Sequence, residues 1–330
     1  MKKYAALFIA LALACVNAHI GAIDYDYMES EPVEEIYLTD ESDEMLDNSI
    51  IFRIGSPRAL VNGKIEYIDE GNKYLAPFID EANRTLVPVR FIAESLGFGV
   101  EADFNEDYKK ITIFGDTRLS MYIGSNVIEM ESQIIIMDTV PKISKDRTFI
   151  PARHFAESLG LKVFYAESER IIIITDCDIE DAEKVAAQAS DKLPVWPLDM
   201  PKVLAEWKNW PENPDGSYHA GADFSIPEGS DVYSAYSGIV DMSVDEGYSS
   251  YGAYIVIKSI IGGKERYMYY AHLSGRSVEE GDKVRAGDII GKTGNTGLST
   301  GPHLHYEARD ENKNHGSPDN PALNPYDYLP

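Results

Sequence analysis

The pattern of apolar and polar positions changes along the chain and divides it into segments. Lys2 and Lys3 precede an unbroken apolar run from Tyr4 to Val16, and small residues follow. That order matches the charged, apolar and cleavage regions of a secretory signal, and an apolar run this short does not span a bilayer. Cleavage after Ala18 or after Ala22 fits the small-residue requirement, so residues 1–22 are expected to be a signal peptide. The next segment, 23–49, has no periodicity, and residues 24–52 hold 11 acids and no base. Like charges without an apolar face predict a self-repelling disordered spacer.

Periodicity begins at about residue 50. The segments RTLVPVRFIAESLGFGVEADFNEDYKKITIFG (84–115) and RTFIPARHFAESLGLKVFYAESERIIIIT (147–175) repeat one pattern at an offset of 63 residues, with Arg84, Pro88 and Arg90 matched by Arg147, Pro151 and Arg153. Each predicts a strand (Leu86–Pro88 in the first), a short helix (Arg90–Leu96) stopped by Gly97, and a β-branched strand (Lys110–Phe114, or Ile171–Thr175). Strand-like segments at 59–68 and 119–137 precede the two units. The expectation for 50–176 is an α+β module built from two strand–helix–strand repeats. The repeated Arg90/Glu94 and Arg153/Glu157, four apart, read as ion pairs on exposed helix faces. His154 stands where the first repeat has Phe91, so it reads as a partly buried structural histidine.

Residues 177–194 predict an acidic linker helix (Glu180–Lys192) that ends before Pro194. Beyond 195, short β-branched and aromatic runs alternate with Gly and Pro: Asp231–Ala235, Gly238–Ser243, Tyr254–Ser259, Arg266–His272, Asp288–Thr293 and His303–Ala308. Many short strands with Gly turns predict a mainly antiparallel β domain over 195–330.

Composition adds exclusions. The chain has 55 acidic against 30 basic residues, a formal charge of −25, which argues against a nucleic-acid binder. Only Cys15 and Cys177 are present. If Cys15 leaves with the signal, no intrachain disulfide and no Cys-based zinc site is available. Lipid anchoring through Cys15 would usually need Leu three residues before it, where this chain has Ala12. Export without disulfides suits a bacterial envelope protein that is secreted or wall-associated, with no transmembrane span in the mature chain.

The candidate chemistry lies between residues 219 and 305, which hold four of the seven histidines. The pieces are His219-Ala-Gly-Ala-Asp223, Tyr270-Ala-His272-Leu-Ser274 and Gly301-Pro-His303-Leu-His305-Tyr-Glu307. A strand places His303 and His305 on one face. Two imidazoles and one carboxylate fill three tetrahedral positions on Zn²⁺ and leave the fourth for water, the pattern of a catalytic site.

Two resemblances follow from these residues. The LVPVRFIAESLG…KKITI pattern over about 50–176 resembles the copper amine oxidase N-like stalk domain, which implies an anchoring or spacing module that attaches to, or stands off from, the cell wall; the segment has no cluster of copper ligands. Residues 217–310 closely resemble the lysostaphin/LytM-like zinc endopeptidases that cut bacterial peptidoglycan. That resemblance implies a duplicated-hybrid-motif fold with one zinc per chain held by His219, Asp223 and His305. His272 and His303 stand beside the metal as the catalytic partners, and which of them is the general base stays open. Glu307 either hydrogen-bonds a ligand or is structural. The glycines of Gly294–Gly301 suggest a mobile groove wall.

The implied function is a secreted zinc endopeptidase cleaving stem peptides or cross-links of peptidoglycan. The alternatives are a non-catalytic wall-binding or envelope-signalling protein that keeps the fold, and a peptidase whose groove is occluded by its own N-terminal region.

Overall fold

The computed structural model of this chain describes residues 46, 48–104, 109–199, 202–205, 219–248, 250–311 and 322–330. The expected signal peptide, the acidic spacer up to residue 45, Cys15, His19 and His315 lie outside the described residues. Leu46, near the end of the expected spacer range, is buried.

In the N-terminal part, the strand Thr85–Pro88 runs directly into helix α1 (Val89–Ser95), and the strand Arg147–Pro151 into helix α2 (Ala152–Ser158). Pro88 and Pro151 occupy the helix N-caps, where extended backbone suits the ring and no intrahelical N–H is lost. A hairpin follows each helix: Gly99–Phe104 with Lys109–Phe114, and Lys162–Ala166 with Ile171–Thr175. The first strand of each hairpin escaped the sequence reading because it is mostly exposed or half-buried and carries no clean alternation.

The two strands that enter the helices pair antiparallel with each other, Val87 opposite Ile150, at the centre of a four-stranded sheet. Each hairpin joins a separate five-stranded sheet. The first is extended by Leu119–Tyr122, Val127–Met130 and Ile134–Ile136. The second is extended by Ile50–Arg53, Arg58–Val61 and Lys64–Tyr67, with Ile51 opposite Ile173. The segment that precedes the first unit in sequence therefore completes the sheet of the second.

The unbroken Ile171–Ile174 run is explained by cover on both faces. Ile172 and Ile174 pack with Phe52, Phe149 and Phe155, while Ile171 and Ile173 pack with Leu46 and with Val185, Ala186 and Ala189 of helix α3 (Ala182–Ser190). Full burial of each such side chain contributes about 1.5–3 kcal/mol. Helix α3 is capped by the Asp181 carboxylate, which accepts from the Lys184 N–H at 3.1 Å. Cys177 is half-buried, and no second cysteine lies among the described residues.

The described residues of the C-terminal part form one antiparallel sheet of nine strands. The path runs Lys202–Ala205, Ala222–Ser225, His303–Arg309, Lys264–Arg276, Ala253–Ile261, Gly238–Asp245 and Lys283–Val284. Asp231–Tyr233 pairs with Ile289–Thr293, which returns to Lys264–Arg276. Phe224, Leu304, Tyr306 and Tyr270 form part of the core on one face. The other face carries the histidines.

The two parts are joined by specific polar contacts. The wholly buried Arg53 donates to Glu169 Oε2 at 2.6 Å and to the carbonyls of Ser190 and Leu193. Glu169 also accepts from Ser237 Oγ at 2.7 Å, Arg170 pairs with Asp288 at 2.6 Å, and Trp196 Nε1 donates to the Lys73 carbonyl.

Candidate metal centre

Sheet register builds the site. Asp223 lies opposite His305 across the pair Ala222–Ser225/His303–Arg309, and cross-strand partners share a face. Asp223 Oδ1 is 2.8 Å from His305 Nδ1, 3.2 Å from His219 Nε2 and 3.7 Å from His303 Nε2. His219, Asp223 and His305 each offer one ligand atom, all within 4.8 Å of one another, and among the described residues no other group of three His, Cys, Asp or Glu gathers this way. Asp223 and His219 are partly exposed at 15% and 23%, whereas His305 is buried at 7%, so the group opens to solvent on one side.

Gly221, between the first two of these residues, permits the packing. A Cβ there would stand 2.4 Å from the Tyr306 carbonyl and 2.8 Å from the His305 ring. The motif glycine is thus required by close approach to a candidate ligand.

Beneath His305 lies a buried polar chain. Its Nε2 is 3.3 Å from Glu307 Oε2, which also accepts from the Tyr251 hydroxyl at 2.7 Å, and Glu307 Oε1 pairs with Arg309 Nε. Glu307 and Arg309 are wholly inaccessible. With Nε2–H donated to Glu307, Nδ1 is the nitrogen left to face Asp223. Burial disfavours the His305 imidazolium, yet its bonds to Asp223 and Glu307 outweigh this and raise its pKa to about 9. Burial likewise opposes the charge of Asp223, and the bonds from His219 and His305 hold its carboxyl well below the usual range.

His272 and His303 sit beside this group, their rings 4.6 Å apart, and the His272 ring is 5.8 Å from that of His305. Each Nδ1 faces a backbone carbonyl at 2.8 Å, that of Thr296 for His272 and that of Gly301 for His303; Ser299 Oγ is also 3.2 Å from His303 Nδ1. A carbonyl only accepts, so each ring carries a proton on Nδ1. Burial pushes the His272 pKa down to about 4, which keeps the ring neutral at neutral pH.

His272 reaches its place through a bulge. The pairing of Ala253–Ile261 with Lys264–Arg276 shifts between Ala253 opposite Leu273 and Ile255 opposite Tyr270, and His272 has φ +62°. Such an extra residue re-aims a side chain out of the regular alternation.

The expected groove wall, Gly294–Gly301, lies against a second loop. Leu298 N–H donates to the Ser250 carbonyl at 2.8 Å, and a Cβ on Gly297 would meet Gly252 N at 2.3 Å. These glycines allow two loops to lie backbone against backbone.

Sequence reasoning missed Tyr251, Arg309 and Thr296. Arg309 was recoverable, because His305, Glu307 and Arg309 alternate on one strand face. Tyr251 and Thr296 act through loop contacts and leave no periodic signal. Elsewhere, His154 is 3.6 Å from Asp138 and mostly buried, and Arg90–Glu94 and Arg153–Glu157 lie at 3.9 and 4.0 Å on exposed faces. No described helix is long and apolar enough to cross a membrane.

Comparison with known proteins agrees with the residue pattern. Residues 217–320 match Peptidase family M23, and residues 67–174 match the copper amine oxidase N-terminal domain. A DD-carboxypeptidase/endopeptidase, Mpg, of Neisseria meningitidis is 42% identical over 104 residues, covering 32% of this chain and 22% of that protein. A peptidoglycan DD-endopeptidase, ShyA, of Vibrio cholerae is 45% identical over 89 residues, covering 27% of this chain and 20% of that protein. The chain thus spans about a fifth of the length of these curated relatives. Among solved structures, the catalytic domain of lysostaphin from Staphylococcus simulans is 32% identical and covers 39% of this chain and 92% of its own, with a TM-score of 0.31. Residues 217–320 are thus similar to peptidase family M23, and the resemblance to the lysostaphin-like peptidases read from the motifs is borne out.

Proposed function

We propose that this chain is an exported zinc-dependent endopeptidase that cleaves peptidoglycan peptides. In this reading residues 1–22 are its signal peptide, 23–49 an acidic spacer, 50–176 a duplicated stalk module, 177–194 a linker helix and 195–330 the peptidase domain. The observation that carries the proposal is the convergence of His219 Nε2, Asp223 Oδ1 and His305 Nδ1 at one partly open point. Two imidazoles and a carboxylate are the donor set of catalytic zinc sites, and the bond from His305 to Glu307 frees the nitrogen that faces the group. The residues therefore fit the metal.

Bound zinc supplies polarisation of the scissile carbonyl and a water of pKa about 7. The chain supplies the rest. His272 and His303, both held through Nδ1, turn Nε2 toward the group, where one accepts a proton while the nucleophile forms and a protonated ring then donates to the departing amine. A ring that has taken up the proton on Nε2 is also a donor to the charge that develops on the carbonyl oxygen. An acidic protein is repelled by anionic wall polymers, so attachment through residues 50–176 rests on specific contacts and not on bulk charge.

The test is digestion of purified peptidoglycan by the mature chain, with and without a chelator, beside His305→Ala. Release of peptide-cleavage products only by the untreated wild type supports the reading. Equal release in all three arms overturns it, and retention on the wall without any release favours the non-catalytic alternative.

A further inference from the structure

His272 is a buried, non-glycine residue held at φ +62°, in the left-handed region that L side chains avoid. Such a conformation persists only where its surroundings enforce it. Three of the contacts that hold it converge on one residue, Thr296. The Thr296 carbonyl accepts from His272 Nδ1–H at 2.8 Å. Its hydroxyl donates to the carbonyl of Leu273, the residue after His272, at 2.8 Å and accepts from the Ala253 N–H at 3.0 Å. The His272 N–H donates to the Tyr251 carbonyl at 2.9 Å. Both of the hydroxyl's bonds therefore end at the bulge: Ala253 and Leu273 are the register partners on its loop side.

The fit is close as well as bonded. A Cβ on Gly252 would meet Thr296 Oγ1 and its carbonyl carbon at 2.5 Å, so the loop glycine is shaped to Thr296. Gly294, two residues before Thr296, passes within 2.8 Å of the His272 carbonyl by the same measure.

We propose that Thr296 is a positioning residue for the reaction: its hydroxyl ties the loop to the bulge, so that its carbonyl fixes His272 as the Nδ1–H tautomer with Nε2 turned to the substrate. The assignment rests on the peptidase reading above, but its structural content does not. The bonds described for Thr296 run to His272, Leu273 and Ala253, so its effect passes through His272.

The test compares Thr296→Val, which keeps the shape and loses the hydroxyl, with Thr296→Ser, which keeps both bonds, in the mature zinc-loaded chain. Three quantities are measured: kcat and KM on a soluble cross-linked muropeptide, zinc affinity by chelator competition, and the His272 ring tautomer from long-range ¹⁵N–¹H spectra. Thr296→Val is expected to lose about tenfold to 100-fold in kcat with KM and zinc affinity within twofold, the loss typical of a misplaced catalytic group. The His272 spectrum should move from the Nδ1–H pattern to a tautomer mixture, and Thr296→Ser should retain the wild-type pattern and kcat within about threefold, on the same principle.

An unchanged Nδ1–H pattern in Thr296→Val overturns the proposal, as does an equal loss of kcat in both variants. If Thr296→Val does not fold, Thr296→Ser alone decides, because loss of the Nδ1–H pattern in that folded variant refutes the role. A wild type with the stated tautomer but no hydrolysis would refute the peptidase reading and leave the positioning role standing.

Discussion

Glu307 offers the sharpest quantitative test of the buried chain beneath the site. Glu307 and Arg309 are both wholly inaccessible, so their interaction is not weakened by solvent. Glu307 holds three partners: His305 Nε2, the Tyr251 hydroxyl and Arg309 Nε. Burial alone would raise its pKa, but the bonds from His305 and the charge of Arg309 hold it below the ordinary value of 4.5. Replacing Glu307 with Leu removes the carboxylate and leaves a buried guanidinium without it. Removing one partner of a buried pair costs about 3–5 kcal/mol, which lowers Tm by about 10–15 °C at roughly 3 °C per kcal/mol.

The double variant Glu307→Leu with Arg309→Met removes both charges and should be more stable than Glu307→Leu alone, because apolar replacement of an entire buried pair is often neutral. Zinc affinity should fall about 10–100-fold in either variant, since His305 loses the partner that fixes its ring. Thermal unfolding followed by circular dichroism, with chelator competition for zinc, measures both. The sign with pH follows from the depressed pKa: the stabilising contribution is present above pH 4.5 and is lost as pH falls through the lower folded value. A Glu307→Leu Tm within about 3 °C of wild type, or strictly additive double-variant losses, would refute the argument.

Three further outcomes follow from the same geometry. The raised pKa of His305 stabilises the zinc-free fold fully below the unfolded value of 6.5, and this is lost as pH rises through about 9; zinc-free Tm should decline across that window while zinc affinity rises, both read from a pH series with and without metal. Gly221→Ala should weaken zinc binding more than about tenfold without unfolding the N-terminal sheets, because the added methyl meets the Tyr306 carbonyl and the His305 ring; unchanged affinity in chelator competition would contradict the packing. Arg90→Ala and Arg153→Ala should each change stability by no more than about 0.5 kcal/mol in urea unfolding, as befits exposed pairs near 4 Å.

Local periodicity made part of this structure legible. The alternation of His303, His305 and Glu307 on one strand face could be read directly, because a two-residue period is a property of the segment itself. The helices after Pro88 and Pro151 were legible for the same reason. The strands Gly99–Phe104 and Lys162–Ala166 were not, since their partial exposure removes the apolar contrast that marks a strand. The bulge at His272 depends on register against a strand whose partner residue, Ala253, is distant in sequence, and no local pattern encodes it.

Register also explains why the site forms only in the folded chain. Asp223 and His305 are 82 residues apart, yet the pairing of Ala222 with Tyr306 and of Ser225 with His303 leaves them no other placement than face to face. A slip of one residue would send Asp223 to the face occupied by Phe224 and Leu304, at the cost of burying a carboxylate among apolar side chains. The alternation that drives Phe224, Leu304 and Tyr306 into the core thus specifies the pairing of the two candidate ligands as well. The same hydrophobic pattern secures both the sheet and the position of Asp223 against His305, whereas Tyr251 and Thr296 complete the site through loop contacts of their own.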